Sequence, residues 1–82
     1  MFLIRKIRGQ SMYPTLKNKQ LVVLRKTNQF QVGQIAYFKF QQLPLIKRII
    51  FVSSNGVYLQ GDHYQSAIYF VPQQSVEAVL FF

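Results

Sequence analysis

No stretch of this 82-residue chain keeps apolar residues at the 3.6-residue spacing of a helix for long enough to form one. What recurs instead is a short run of β-branched and aromatic residues, cut by a polar or Gly-containing break every ten residues or so. That pattern leaves little open but a mainly β fold. Seven strands are predicted: Leu3 to Arg8, Gln20 to Lys26, Gln34 to Phe40, Leu45 to Ser53, Val57 to Gln60, Ala67 to Val71 and Val76 to Phe81. The clearest turn is Ser53-Ser54-Asn55-Gly56, where Asn-Gly supplies the two positive-φ positions of a tight hairpin and so pairs the strand of Lys47 with that of Tyr58. Pro14 pre-sets φ for a turn, or a single helical turn, through Thr15 and Leu16.

Composition narrows the chemistry. Half the residues are hydrophobic and only 15% are charged, too apolar a balance for disorder, and the length fits one domain over residues 1–82. Cys is absent, which excludes disulfides, thiolate nucleophiles and Cys-based metal sites; with one His and two acids, no metal site is expected. No apolar run exceeds five residues, so no segment reads as a bilayer span. Arg5, Lys6 and Arg8 cut short Met1–Ile4, so it does not read as a signal peptide, and a cytoplasmic location is expected. All ten Lys and Arg lie in residues 1–48, while 49–82 holds only Asp62 and Glu77, giving halves of +10 and −2. Such a face attracts polyanions, whether nucleic acid or anionic lipid headgroups, or simply keeps an aromatic-rich domain in solution. Tyr37-Phe38-Lys39-Phe40 reads either as a base-stacking platform or as a strand half in the core and half on the surface.

Two segments carry more than a β domain requires. In Gly9-Gln10-Ser11-Met12-Tyr13-Pro14-Thr15-Leu16, a Ser follows a Gly bend and precedes a Pro-stiffened turn. Its hydroxyl and its own N–H are then exposed on one side, a nucleophile beside an oxyanion donor. In Leu45-Ile46-Lys47-Arg48-Ile49-Ile50-Phe51, strand alternation sets Lys47 with Leu45, Ile49 and Phe51 and turns Arg48 the other way. Desolvation among apolar side chains disfavours the ammonium, so Lys47 is placed to be neutral near pH 7 and to act as a general base.

The Gly-x-Ser-Met-x-Pro-Thr-Leu pattern at Gly9–Leu16 resembles that of the Ser/Lys peptidases, which include type I signal peptidases and the self-cleaving domains of SOS-response repressors. Ile46-Lys47-Arg48-Ile49 is similar to the family's lysine box, and Gly61-Asp62-His63-Tyr64-Gln65-Ser66 to its Gly-Asp-Asn box with a following Ser. The resemblance runs in order from about Gly9 to Pro72, and compact members such as the proteases that trim the leader of nickel-type superoxide dismutase are the most similar. It implies the fold of that catalytic core, a mainly β, small, coiled antiparallel sheet assembly, with Ser11 as nucleophile, Lys47 as general base, Ser66 as the hydroxyl that orients the lysine amine, and Met12 in the substrate-binding surface beside the scissile bond. The implied reaction is cofactor-free endopeptidase cleavage that removes a leader peptide or makes one cut in a partner protein, with the substrate bound as an extended strand.

The departures from the family pattern have consequences. Ala67-Ile68-Tyr69-Phe70-Val71 replaces Asp-Ser-Arg after Ser66, which leaves the dyad without its supporting ion pair. Lys19-Gln20 and Gly33-Gln34 stand where the family has Gly-Asp turns. Gly9 offers no side-chain oxyanion donor, so backbone N–H groups, that of Ser11 first, must serve. His63 stands where the family has Asn and is assigned no role. Two rival readings accompany the peptidase. One is a catalytically inactive basic binding module for nucleic acid or an anionic membrane surface. The other is a subunit whose apolar C-terminal strand, Val79–Phe82, pairs with a partner. The oligomeric state is left open.

Overall fold

The computed structural model describes residues 1–82 and contains seven strands: β1 (Phe2–Lys6), β2 (Leu21–Lys26), β3 (Ile35–Phe40), β4 (Leu43–Ser53), β5 (Gly56–Gln60), β6 (Ile68–Val71) and β7 (Val76–Leu80). A single 3₁₀ turn, Gln73–Ser75, separates the last two. Every predicted strand is present, and no end is displaced by more than two residues. All join one antiparallel sheet in the order β1-β2-β7-β3-β4-β5-β6. There is no helix long and apolar enough to cross a membrane.

Both faces of the sheet's centre are covered, which is why β3 buries consecutive residues. Ile35 and Tyr37 join Ile7, Met12, Leu16, Val22, Leu24 and Ala78 in one cluster, under β1, β2 and the segment that links them. Ala36 and Phe38 face the opposite way, into a cluster with Ile49, Val57, Leu59, Val71, Val76 and Val79. Phe38 and Tyr37 are therefore core residues, and the base-stacking platform does not exist. The C-terminal strand corrects a second expectation. β7 lies between β2 and β3, so Ala78 and Val79 are buried and paired within the chain; only Phe81 and Phe82, main-chain bonded to Val23, remain exposed.

The turns divide differently from expectation. The β4–β5 hairpin forms, but Ser53 pairs with Gly56, so its central residues are Ser54 and Asn55, neither at positive φ. Gly56 is needed for space: a Cβ there would meet the Val71 carbonyl oxygen at 2.5 Å and the Phe70 ring at 2.7 Å. The tight turn with two positive-φ residues is instead Gln41-Gln42, at φ 51° and 68°, between Phe40 and Leu43. A two-residue connection between twisted strands requires this geometry, and here it is imposed on residues that do not favour it.

One irregularity in β4 shapes the site. Ile49 pairs with Leu59 and Phe51 with Tyr58, so Ile50 is an extra residue that resets the alternation. Leu45 and Ile49 pack into the core on the Lys47 side as expected, but Phe51 emerges on the other face, half exposed against Tyr58. Phe51 is no part of the lysine's surroundings.

Candidate functional site

Ser11 lies in the segment between β1 and β2, which is held at both ends. The β1–β2 ladder continues beyond Lys6 through Ile7 N–H to the Gln20 carbonyl at 2.8 Å and Lys19 N–H to the Ile7 carbonyl at 2.7 Å. Lys19 takes φ 73° there, the conformation a Gly would supply more cheaply. Gly9 bends the chain at φ 85°, and its N–H is capped by Asn18 Oδ1 at 2.9 Å. Beyond Ser11, the Tyr13 N–H bonds the Gln10 carbonyl at 3.0 Å and the Leu16 N–H bonds the Met12 carbonyl at 2.8 Å, while Met12 and Leu16 insert into the core. Ser11 is thereby presented on a short turn whose flanks are anchored.

Lys47 sits opposite Ala36 in the β3–β4 pairing, where the small neighbour leaves room for its stem, and is only 7% exposed. Its Nζ lies 2.5 Å from Ser11 Oγ and 5.7 Å from the centre of the Tyr69 ring. No carboxylate pairs with it. Burial without a counter-charge holds its pKa below the ordinary lysine value. A neutral amine at this distance is within reach to accept a proton from the Ser11 hydroxyl. The Ser11 N–H has no hydrogen-bond partner in the protein and remains free to donate to an oxyanion.

The Gly61–Ser66 segment clamps the Ser11 main chain. The Ser11 carbonyl accepts from the His63 N–H at 2.9 Å and from Ser66 Oγ at 3.2 Å. The Ser66 hydroxyl thus reaches the nucleophile's backbone, and it makes no hydrogen bond to Lys47. Gly61 permits the approach: a Cβ there would lie 2.2 Å from the Ser11 carbonyl oxygen and 2.5 Å from Ser66 Oγ. Gly61→Ala must therefore displace the Ser11 backbone. The expected result is a loss of about 1–3 kcal/mol in stability from overpacking and, because misplacement of about 1 Å can cost on the order of 10²-fold, a comparable drop in any Ser11-dependent rate. Ser66→Ala removes one of two bonds to that carbonyl and should cost less in both. Denaturation midpoints measured alongside rates would check the order, and a fully active Gly61→Ala would show that the clamp is not required.

The Asp-Ser-Arg pair is missing after Ser66, but a different ion pair braces this arrangement. Arg48, on the opposite face of β4 from Lys47, donates from Nε to Asp62 Oδ1 at 2.9 Å and from Nη2 to Oδ2 at 2.6 Å, and Thr15 Oγ1 donates to Oδ2 at 2.6 Å. The Arg48 hydrogen bonds hold the Asp62 pKa below the usual carboxylate value against the opposing effect of burial, and Thr15 adds to the lowering. Arg48 Nη1 also donates to the Gly33 carbonyl at 2.8 Å. The bidentate pair and the Thr15 bond to Asp62 together tie the segments of Ser11, Lys47 and Ser66.

Beside Ser11 and Lys47 lies a groove of about 480 Å³, lined by Arg5–Arg8 on one side and Leu43–Ile46 on the other, with Met12 and Tyr37 also lining it. Met12, 1% exposed, is a core residue beneath the groove rather than part of an open binding surface, because its side chain anchors the Ser11 turn. β5 pairs with β4 only from Arg48 onward, so Leu43–Lys47 keep an open edge.

Ser11, Lys47 and Ser66, all expected from the sequence, meet in one place, whereas the parts played by Gly61, Tyr69 and the Asp62–Arg48 bridge were not expected. Gly61 had a usable signal, a Gly in the box that precedes Ser66. The contribution of His63 had none, since any residue with an N–H supplies it. A family model described as Peptidase S24-like matches residues 2–79. No curated protein and no solved structure matches the chain.

Proposed function

The chain belongs to the Peptidase S24-like family, a family of the serine peptidase kind, and from that premise we propose that it is an endopeptidase in a single domain, with Ser11 as nucleophile and Lys47 as general base. The observation that carries the reading is the 2.5 Å approach of Lys47 Nζ to Ser11 Oγ, two groups 36 residues apart, with the amine buried and free of any carboxylate. Neutral Lys47 takes the Ser11 proton as Oγ adds to the scissile carbonyl, and the Ser11 N–H stabilises the oxyanion. The protonated amine then gives its proton to the departing amine as the C–N bond breaks. Water, deprotonated by the same lysine, attacks the acyl-enzyme ester and releases Ser11. Gly61 and Ser66 act as positioning residues through the Ser11 carbonyl, and Met12 supports the groove from below. The scheme uses no cofactor.

The substrate binds as an added strand along the open Leu43–Lys47 edge, where main-chain pairing aligns a scissile bond without requiring much sequence. Such a site suits removal of a leader peptide or one specific cut in an exposed segment of a partner protein. The family match does not single out one member, the nickel-type superoxide dismutase maturation proteases included. Incubating the protein with a panel of unstructured leader-like peptides and reading products by mass spectrometry tests the proposal. Discrete fragments that disappear with Ser11→Ala support it, and an uncut panel counts against it.

A further inference from the structure

The groove beside Ser11 carries a charge pattern that peptide hydrolysis does not require. Arg5, Lys6 and Arg8 line it together with Lys47, and no carboxylate does. The chain's only two acids are engaged elsewhere, Asp62 with Arg48 and Thr15, and Glu77 with Lys39 at 3.7 Å. None of Arg5, Lys6 and Arg8 forms an ion pair. No acid therefore offsets the positive charge that these three exposed residues bring to the groove, beside the side chains of Leu43, Leu45, Ile46 and Tyr37.

Arg5 is also pre-positioned. Its guanidinium lies 5.3 Å from the centre of the Tyr37 ring, and one nitrogen donates to the Ile4 carbonyl at 2.9 Å. The remaining donors of the planar fork are unspent, and a stacked guanidinium loses less freedom on meeting a carboxylate than a free side chain does. Chain geometry fixes the range. Arg8 precedes Ser11 by three residues and Arg5 by six, so at about 3.3–3.6 Å per residue their Cα atoms lie within roughly 11 and 22 Å of the nucleophile. An extended peptide covers that span with a handful of residues.

We propose that the groove selects extended peptides bearing an acidic residue within a few positions of the scissile bond, and that Arg5 and Arg8 are the specificity-determining residues. The inference rests on the reading of this groove as the peptide site, so its test reads binding separately from cleavage. The probes are two pools of twelve-residue peptides, randomised over Ala, Val, Leu, Ser and Gly. One carries Glu at two central positions and the other Gln at the same positions. Binding is measured on Ser11→Ala protein at low and moderate salt.

The Glu pool should bind about tenfold or more tightly than the Gln pool, with a preference that weakens as salt rises. The additional double substitution Arg5→Gln with Arg8→Gln should erase it. Lys17→Gln with Lys26→Gln, which removes equal charge outside the groove, should leave most of it. Equal binding of the pools, or equal loss in both charge variants, would overturn the proposal. So would tighter binding of a twelve-nucleotide single-stranded DNA through the same arginines, which would assign the groove to nucleic acid. If the intact protein cleaves both pools at the same rate, the peptidase reading stands and the acidic preference falls. If it cleaves neither while the arginine-dependent preference is present, the preference stands and the peptidase reading falls.

Discussion

Lys47→Met and Ser11→Ala are each expected to abolish peptide cleavage while leaving the sheet folded. Met preserves most of the apolar stem that packs beside Leu45 and Ile49 and removes only the amine, a near volume-conserving change of the kind that usually costs less than about 1.5 kcal/mol. Losing a general base lowers rates by roughly 10²–10⁴-fold, and losing a nucleophile by as much as about 10⁶-fold. The double variant should be no slower than the worse single one, because the two groups act on one proton. Single-turnover rates with circular dichroism on the same samples check both halves. A Lys47→Met protein that kept more than about a tenth of the wild-type rate would remove the lysine from the mechanism.

The second large effect is on pH dependence, and it separates a buried base from an ordinary surface lysine. In the unfolded chain Lys47 titrates near 10.5, and burial lowers that value in the fold. The unfolded state therefore binds this proton more tightly, so the group contributes a destabilisation that is absent above the unfolded pKa. It grows as pH falls toward the folded pKa and is constant below it. Cleavage should accordingly rise with pH through the lowered pKa and level off before the ordinary lysine range. Lys47→Met should be at least as stable as wild type at neutral pH, with any advantage shrinking as pH rises toward 10.5. Urea denaturation of both proteins across that range, beside the rate profile, measures the two consequences of one shift. A rate still climbing through the ordinary lysine range, with a clearly destabilised Lys47→Met, would describe an exposed lysine with no catalytic task.

What could be read from the residues alone follows from which interactions are local. Strand identity rests on runs of β-branched and aromatic residues, so all seven strands were legible, as was the pairing of the Lys47 and Tyr58 strands. Which strand lies beside which depends on contacts distant in sequence, and nothing in Val76–Leu80 distinguishes a central strand from an exposed edge. The Ile50 bulge was equally invisible, because strict alternation was the only guide to which side chains share a face with Lys47; Tyr69, from another strand, stands over the amine instead. Gln41-Gln42 shows the limit of turn chemistry: strand twist and a two-residue connection impose positive φ without an Asn or Gly to announce it. At the site, the spacing of Ser11, Lys47 and Ser66 carried the residues that meet. The Arg48–Asp62 bridge was hidden because its two residues lie in separate boxes and meet only where the Gly61–Ser66 segment packs against β4.

The most direct test of the Ser11–Lys47 assignment is the covalent intermediate itself. Protein treated briefly with p-nitrophenyl acetate near neutral pH and quenched in acid would be analysed by intact mass and peptide mapping. Hydroxylamine treatment would distinguish serine esters from lysine amides. A Ser11–Lys47 dyad should yield one hydroxylamine-labile acetyl group on Ser11, absent from Ser11→Ala and from Lys47→Met. Acetylation confined to exposed amines, or a Ser11 ester formed equally well in Lys47→Met, would contradict it.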